Sequence, residues 1–310
     1  MQTMVRIEPV KRRDRRRALD LLAAAAGPWV EQRASELAAL MRGDAAGRCA
    51  LWWARSTHGP QAAAMTVRNP GRVAIIYHSS AGGRASESVV SRLVRKLSDA
   101  TLAGGVAFVQ ASVAPEAADA ADALLGGGFR PLARLSHMQR DLDSLPVTDD
   151  DSHLAWSALG DHGDETALGH VITVTYAGSL DCPGLRGLRD MADVIASHKA
   201  SGTFRPASWW LPRRDGQAVG CILVNDGLRP SDAAEVVYVG VCPPFRRQGV
   251  ARAMLRHAMA DARRRGRRAM TLAVDAANAP AAALYAQEGF RETERRDIYL
   301  RSAGAEAPPT

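Results

Sequence analysis

Residues 235–251 read EVVYVGVCPPFRRQGVA, an apolar strand pattern that passes through a tight turn into an amphipathic helix pattern. The strand pattern ends at Pro243-Pro244, and the helix pattern starts directly after Gly249. A helix that begins this abruptly leaves its first backbone amides unpaired and presents the positive end of its dipole. Gly249 lets a ligand approach the backbone closely. The segment therefore predicts a phosphate or pyrophosphate site at the start of a helix.

Other phosphate-binding loops do not fit this turn. A Walker A loop requires G-x-x-x-x-G-K-[ST], and a dinucleotide fingerprint requires G-x-G-x-x-G. Neither pattern occurs in the sequence. On the turn alone, a basic helix start with an incidental glycine remains an alternative.

A second segment, residues 278–290, reads NAPAAALYAQEGF, which has the form N-x-x-A-x-x-L-Y-x-x-x-G-F. It follows the first segment after one predicted helix and one predicted strand. The first segment contains V-x-P followed by R-x-x-G-x-A. Together the two segments resemble the signatures of the GNAT N-acetyltransferase superfamily, and the resemblance covers residues 235–290.

The resemblance implies acetyl-CoA as co-substrate and gives the residues of the strand and the second motif their roles. The backbones of Val239 and Val241 would pair with the pantetheine arm, as an added strand does. A bulge near Gly240 would splay this strand from its neighbour and open a slot for the thioester. Asn278 would bond to the cofactor arm, and Tyr285 would lie close to the sulfur.

The resemblance also assigns the turn to the pyrophosphate, which the amides of residues 247–251 would bind. Arg246 and Arg247 would add charge-assisted contacts. Ala251 and Arg247 both stand where the family often has glycine. The expected cofactor-binding residues are Val239, Val241, Arg246, Arg247, Gln248, Gly249, Val250, Ala251, Asn278 and Tyr285.

Acyl transfer to an amine needs a base, because a free alkyl ammonium titrates near pH 10.4. Glu235 has a spacing from Arg246 at which several family members place a catalytic glutamate, and it shares strand parity with Val237, Val239 and Val241. Tyr285 is the expected acid for the departing thiolate. The alternatives are a solvated strand-end carboxylate for Glu235 and a packing role for Tyr285.

Two similar halves follow one another, each predicted as β-α-α-β-β-β-α-β-α-β. The expected fold class is α/β, a mixed sheet with helices on its faces, and the resemblance implies two tandem GNAT folds. The predicted boundaries are a degenerate domain at 1–142, a linker at 143–152 (DSLPVTDDDS), an active domain at 153–302 and a loose tail at 303–310.

The first half keeps the order of elements but loses the chemistry. Aligning the halves places Val73, Glu87, Ala117 and Leu124 on Glu235, Gly249, Asn278 and Tyr285. The first half is therefore expected to perform no transfer, although Gly82 and Gly83 leave anion binding there as an alternative.

Composition limits the partners and the setting. The net charge of +7 permits an anionic partner, but nucleic acid is not favoured because basic runs lack interleaved aromatic residues. The sequence contains no stretch of 18 apolar residues, so it predicts no transmembrane helix. The four cysteines are too few and scattered for a disulfide framework or a metal site, which favours a reducing, cytoplasmic setting. The oligomeric state is left open.

The predicted function is transfer of an acetyl group from acetyl-CoA to a primary amine of a small molecule or peptide, by direct attack. The tandem layout resembles that of mycothiol synthases, which makes a cysteinyl-sugar amine an alternative acceptor. A CoA-binding module without catalysis is another alternative. The acceptor is expected to enter between loops 177–188 and 226–234, with Asp181, Arg186, Arg189 and Asp232 as candidate contacts.

Overall fold

A computed structural model describes residues 5–24, 30–41, 47–80, 85–143, 154–227 and 232–303. The elements up to residue 142 are β1 (Arg6–Pro9), α1 (Arg15–Ala23), α2 (Val30–Leu40), β2 (Cys49–Ser56), β3 (Gly59–Asn69), β4 (Val73–His78), α3 (Glu87–Ala103), β5 (Phe108–Val113), α4 (Ala118–Gly126) and β6 (Arg130–Asp141). They continue with α5 (Leu159–His162), α6 (Glu165–Thr175), α7 (Met191–Ala200), β7 (Trp209–Trp210), β8 (Arg213–Arg214), β9 (Gln217–Ala218), β10 (Gly220–Asp226), β11 (Ala233–Val241), α8 (Val250–Arg264), β12 (Ala269–Asp275), α9 (Ala279–Gln287) and β13 (Arg291–Ser302).

The described chain forms two compact units. The first unit comprises the residues up to Leu132 and from Arg296 onward, and the second unit is Ala133–Arg295. The sheet of the first unit has the strand order β1-β2-β3-β4-β5, followed by the end of β13. The sheet of the second unit has the order β6-β12-β11-β10-β7. Both sheets mix parallel and antiparallel pairs, so the mixed α/β architecture predicted from the sequence is confirmed.

Each unit takes its last strand from the other half of the sequence. β6 ends the first half of the sequence, yet its residues 135–141 pair with β12 of the second unit. β13 ends the second half, yet its residues 297–302 pair with β5 of the first unit. The units are therefore not the two uninterrupted segments 1–142 and 153–302 that the sequence predicts, because the two final strands are exchanged. Most of the predicted linker and tail lies outside the described residues.

The second unit packs helices on both faces of its sheet. On one face α8 buries an apolar stripe at helical spacing, as its sequence predicts. This stripe consists of Val250, Ala253, Met254, Leu255, Ala258, Met259 and Ala262. On the other face α6 and α7 bury Leu168, Ile172 and Ile195 against β10 and Trp209. The strand predicted at 153–159 is reduced to isolated bridges at Ala155 and Ala158, followed by α5.

No helix in the described part of the chain is long and apolar enough to cross a membrane.

Candidate active site

A slot opens in the second unit where two neighbouring strands diverge. β11 and β12 run parallel and pair only over residues 233–236 and 269–272. Both strands then continue, β11 to Val241 and β12 to Asp275, and this fully described stretch has no further pairing between them. The facing backbone edges are thus left open to a ligand that adds as a strand does.

A bulge at Val237 marks the point of divergence. Leu223 of β10 lies opposite Tyr238, but the next residue, Val224, lies opposite Val236, so Val237 is the extra residue. The predicted bulge near Gly240 is therefore wrong in position. Gly240 instead makes room for α6, because a Cβ there would lie 2.6 Å from Thr175 Oγ1.

The bulge also reverses the strand parity assumed for Glu235. Val239 and Val241 pack with Val236 in the core beneath α8. Glu235 precedes Val236 and so points to the opposite face, the one on which Tyr238 packs beneath α6 and α7. The expectation that Glu235 shares a face with Val239 and Val241 is therefore wrong.

The backbone groups of Val239 and Val241 face the slot. Cys242 N donates to Val219 O at 2.9 Å, which makes these two residues a hydrogen-bonded pair of the β10–β11 ladder. Such pairs alternate along an antiparallel ladder. Val241 and Val239, which lie opposite Gly220 and Ile222, are therefore non-hydrogen-bonded pairs whose N–H and C=O groups point away from β10.

The turn after β11 adopts two left-handed backbone conformations. Arg247 has a φ of 62° and Gly249 a φ of 79°. Glycine is the residue best suited to both positions, which explains why the family often has it where this chain has Arg247. A Cβ on Gly249 would meet no atom within 4 Å, so the space in front of it is open. Gly249 is the N-cap of α8 and supplies no capping side chain, which leaves the first amides of this helix available to an anion.

The side chains of the turn are used differently from its backbone. Arg246 donates to the carbonyl oxygens of Val241, Thr175 and Ala177. Gln248 Nε2 donates to Pro244 O at 2.9 Å, and Gln248 Oε1 accepts from Arg214 at 3.0 Å. The remaining predicted side chains divide by exposure: Arg247 is exposed, Ala251 is half-buried, and Val250 is buried in the core.

Tyr285 lies in the core of the second unit with 6% of its surface exposed, and its ring packs edge-on against Phe290. Burial raises the pKa of the Tyr285 hydroxyl, and the nearby carboxylate of Asp181 raises it further. Among the described residues its hydroxyl has no hydrogen-bond partner. Asn278 caps α9 through its Oδ1, which accepts from Ala281 N at 3.4 Å, and its Nδ2 remains a donor.

Glu235 is half-buried beside the end of α7. Burial raises the pKa of its carboxyl group, and a hydrogen bond with the Ser201 side chain opposes this shift. Ser201 is held in turn by Asn225, whose Nδ2 donates to Ser201 O and to His198 O. Trp209 Nε1 fixes the Asn225 amide by donating to its Oδ1 at 2.9 Å.

A pair of carboxylates, one of which sequence reasoning missed, joins the loop after α6 to the end of β12. Asp275 N donates to Asp181 Oδ1 at 3.1 Å, and Cys182 N donates to Asp275 Oδ2 at 3.2 Å. Asp181 was predicted as an acceptor contact, but Asp275 was not, and its position at the end of a strand directly before the Asn278 motif was the available signal. Burial beside these carboxylates raises the pKa of the Cys182 thiol to about 12, which argues against a nucleophilic role.

The other three candidate acceptor residues each bond to a different part of the chain. Arg189 lies before α7, and burial lowers the pKa of its guanidinium. It donates to Ser197 Oγ. Arg186 donates to Ser179 O within the loop after α6. Asp232 lies at the start of β11, where its carbonyl accepts from Arg268 N at 2.9 Å.

The first unit repeats the diverging strands without the chemical groups. β4 and β5 pair only over residues 73–75 and 108–110 and then separate. Glu87 places a carboxylate in the first turn of α3, which disfavours an anion there. Leu124 is buried in the core, and Ala117 provides no side-chain cap for α4. Gly82 and Gly83 lie outside the described residues.

No group of three or more histidine, cysteine, aspartate or glutamate side chains is placed to hold a metal ion in the described ranges. The four cysteines are free thiols.

Comparison with curated proteins gives two kinds of relative. The chain is 41% identical over 76 residues to the [ribosomal protein bS18]-alanine N-acetyltransferase of Escherichia coli K12, a match that covers 24% of this chain and 51% of that protein. It thus spans about half the length of this relative. The chain is 29% identical over 233 residues to the mycothiol acetyltransferase of Beutenbergia cavernae, covering 70% of this chain and 76% of that protein.

A solved structure and a family model also match this chain to N-acetyltransferases. The crystal structure of a GCN5-related N-acetyltransferase from Sphaerobacter thermophilus matches with a TM-score of 0.66 at 19% identity. The match covers 96% of this chain and 95% of that one, so the shared fold includes both units and confirms the predicted tandem fold. The model of the Acetyltransferase (GNAT) family matches residues 181–290. The chain is thus similar to the GNAT acetyltransferase family over residues 181–290.

Proposed function

We propose that the second unit binds acetyl-CoA and transfers its acetyl group to a primary amine by direct attack on the thioester. The observation that carries this proposal is the divergence of β11 and β12. The backbone edge that it frees at Val239 and Val241 leads directly into the turn at residues 247–251. A ligand with an amide-containing arm and a pyrophosphate matches this order of groups.

The cofactor contacts follow from the free backbone groups. The C=O group of Val239 and the N–H group of Val241 pair with the amides of the pantetheine arm. The amides of residues 247–251 bind the pyrophosphate, assisted by the helix dipole and by the exposed Arg247. Asn278 Nδ2 donates to the arm from the opposite side of the slot.

Glu235 is the proposed base. A carboxyl whose pKa is raised by burial accepts a proton more readily near neutral pH than an exposed one does. Because Glu235 lies on the face of α6 and α7, the amine reaches the thioester from that face. The proton passes from the ammonium group to Glu235 directly or through water.

Tyr285 is the proposed acid. The amine nitrogen forms a bond to the acetyl carbon, the carbon–sulfur bond breaks, and the Tyr285 hydroxyl protonates the departing thiolate. A hydroxyl without another partner among the described residues is free for this task. The developing oxyanion is met by the backbone N–H of Val239, which the arm does not use.

The acceptor has two candidates, a peptide amine and a cysteinyl-sugar amine. The match to the mycothiol acetyltransferase extends over 70% of this chain, whereas that to the ribosomal-protein acetyltransferase covers 24%. This longer match favours a small cysteinyl-sugar amine as the second, more specific proposal. This proposal is tested by comparing the product formed from such an amine with the product formed from a peptide that has an N-terminal alanine.

A CoA-binding module without catalysis is the less favoured function, since such a module needs neither the Tyr285 hydroxyl nor the half-buried Glu235.

The free cysteines support action in a reducing compartment, which we take to be the cytoplasm.

Gly249→Glu is expected to weaken acetyl-CoA binding at least about tenfold, or 1.4 kcal/mol, in calorimetry. The variant adds bulk and a negative charge in front of the open amides. Gly249→Ala is the matched control, because it carries the same backbone strain at a φ of 79° without the charge or the length. Equal affinities for the wild type and a folded Gly249→Glu variant would contradict the assignment of the turn.

Tyr285→Phe is expected to lower the acetylation rate about 10²-fold, because it removes the proton donor and keeps the buried ring. The affinity for CoA and the thermal unfolding midpoint serve as controls for packing and should not change. Full activity with the same amine would show that Tyr285 only fills the core.

Glu235→Gln is expected to change the pH dependence of both rate and stability. The wild-type rate should level off above the raised pKa of Glu235, whereas the variant rate should keep rising toward the pKa of the acceptor amine, about 8 for the α-amine of a cysteinyl or alanyl group. An unchanged pH–rate profile would place the base elsewhere.

The stability of the same variant has a predictable sign. Burial raises the folded-state pKa of Glu235, so the stability that this group contributes is present at low pH and is lost as the pH rises through that pKa. Glutamine carries no such loss. The free energy of unfolding of the variant should therefore increase relative to the wild type as the pH rises from about 4.3, the unfolded-state pKa of a glutamate, through the raised folded-state pKa, as measured in urea titrations.

A further inference from the structure

Arg246 connects the turn before α8 with the loop that follows α6. Its Nε donates to Val241 O at 3.1 Å. Its Nη2 donates to Thr175 O at 3.0 Å and to Ala177 O at 2.7 Å. We name residues 176–190, which join α6 to α7, the acceptor loop. The bond to Val241 fixes the side chain to β11. The bonds to Thr175 and Ala177 attach it to the end of α6 and to the start of the acceptor loop.

The two carbonyls at the acceptor loop are suited to a cation. Thr175 is the last residue of α6, and carbonyls at a helix C-terminus have no partner within the helix and carry the negative end of its dipole. Gly178 then turns the chain with a φ of 63°, and a Cβ on it would lie 3.3 Å from Arg246 Nη1. The loop thus closes around the guanidinium.

A second anchor holds the same loop on the other side of the slot. Asp181 accepts from Asp275 N at the end of β12, and Asp275 accepts in return from Cys182 N. Arg246 is attached to the end of β11 through Val241. The acceptor loop is therefore fastened to both of the strands that diverge, and it spans the slot between them.

We propose that Arg246 is a positioning residue that fastens the acceptor loop to the cofactor turn, residues 247–251. Its side chain is then not a ligand of the cofactor phosphates. This inference rests on the proposed function, because that function gives the acceptor loop and the cofactor turn their roles. Three of the five guanidinium N–H groups bond to these carbonyls, and the other two, on Nη1, lie beside Gly178 of the acceptor loop. A rearrangement of the side chain toward the amides of the turn would break these bonds and expose the end of α6. The backbone amides of the turn bind the pyrophosphate without this rearrangement.

The test measures loop order and CoA binding separately in the full chain. Hydrogen exchange of the acceptor loop is informative because the amides of Tyr176, Ala177 and Ser179 are hydrogen-bonded. Coenzyme A itself is the binding probe, measured by calorimetry. The variants are Arg246→Gln and Arg246→Lys, and Arg247→Gln is the matched control on the neighbouring, exposed arginine.

Arg246→Gln should accelerate exchange in the acceptor loop about tenfold or more, since local opening then lacks its anchor. It should weaken CoA binding less than about fivefold, or 1 kcal/mol. Arg246→Lys should restore part of the protection. Arg247→Gln should leave exchange in the loop unchanged and weaken CoA binding.

A loss of CoA affinity of about fivefold or more in Arg246→Gln, or unchanged exchange in the acceptor loop, overturns the inference. Arg246→Met, which removes every donor, is judged by the same thresholds if the glutamine variant does not fold. Failure of the wild type to bind CoA would count against the proposed function alone. The exchange comparison would still decide whether Arg246 anchors the loop.

Discussion

The end of the β11–β12 ladder is the constraint on which the rest of the candidate site depends. Pairing stops after Val236 and Leu272, and the extra residue Val237 lies at the same point in the strand. The bulge turns Val239 and Val241 so that their side chains enter the core under α8 while their backbone groups face the gap. The residues of β11 before the bulge pair with both β10 and β12, whereas those after it pair with β10 alone and leave their other edge open to a ligand.

The groups around this gap are held by contacts that come from distant parts of the sequence. The end of α7 is fixed beside Glu235 by Asn225, which is fully buried and is itself oriented by Trp209. The acceptor loop is held by Arg246 on one strand and by Asp275 on the other. Because buried polar groups are costly when unpaired, these bonds favour one arrangement of the loop and the strand over others. The site is therefore supported on rigid elements, although its acceptor side is formed by a loop.

Sequence reasoning was able to predict the shape of the turn at residues 247–251, since a strand, a left-handed glycine and a helix start form one local segment. It was not able to place the bulge, because the register of β11 depends on β10, and the error carried over to the face assigned to Glu235. The exchange of β6 and β13 was also missed, since both have strand patterns and only long-range pairing decides which sheet each joins. Arg246 was predicted as a phosphate contact because a guanidinium suits an anion and a helix C-terminus equally well, and the sequence does not show which is nearer.

Residue-resolved hydrogen exchange with and without coenzyme A tests the central claim most directly, namely that the freed edge of β11 binds the cofactor arm. The amides of Val239 and Val241 should gain protection on binding, together with those of residues 247–251. The amides of Tyr238 and Gly240, which face β10, should change little. Unchanged exchange at Val239 and Val241 in a sample that binds coenzyme A would contradict the account.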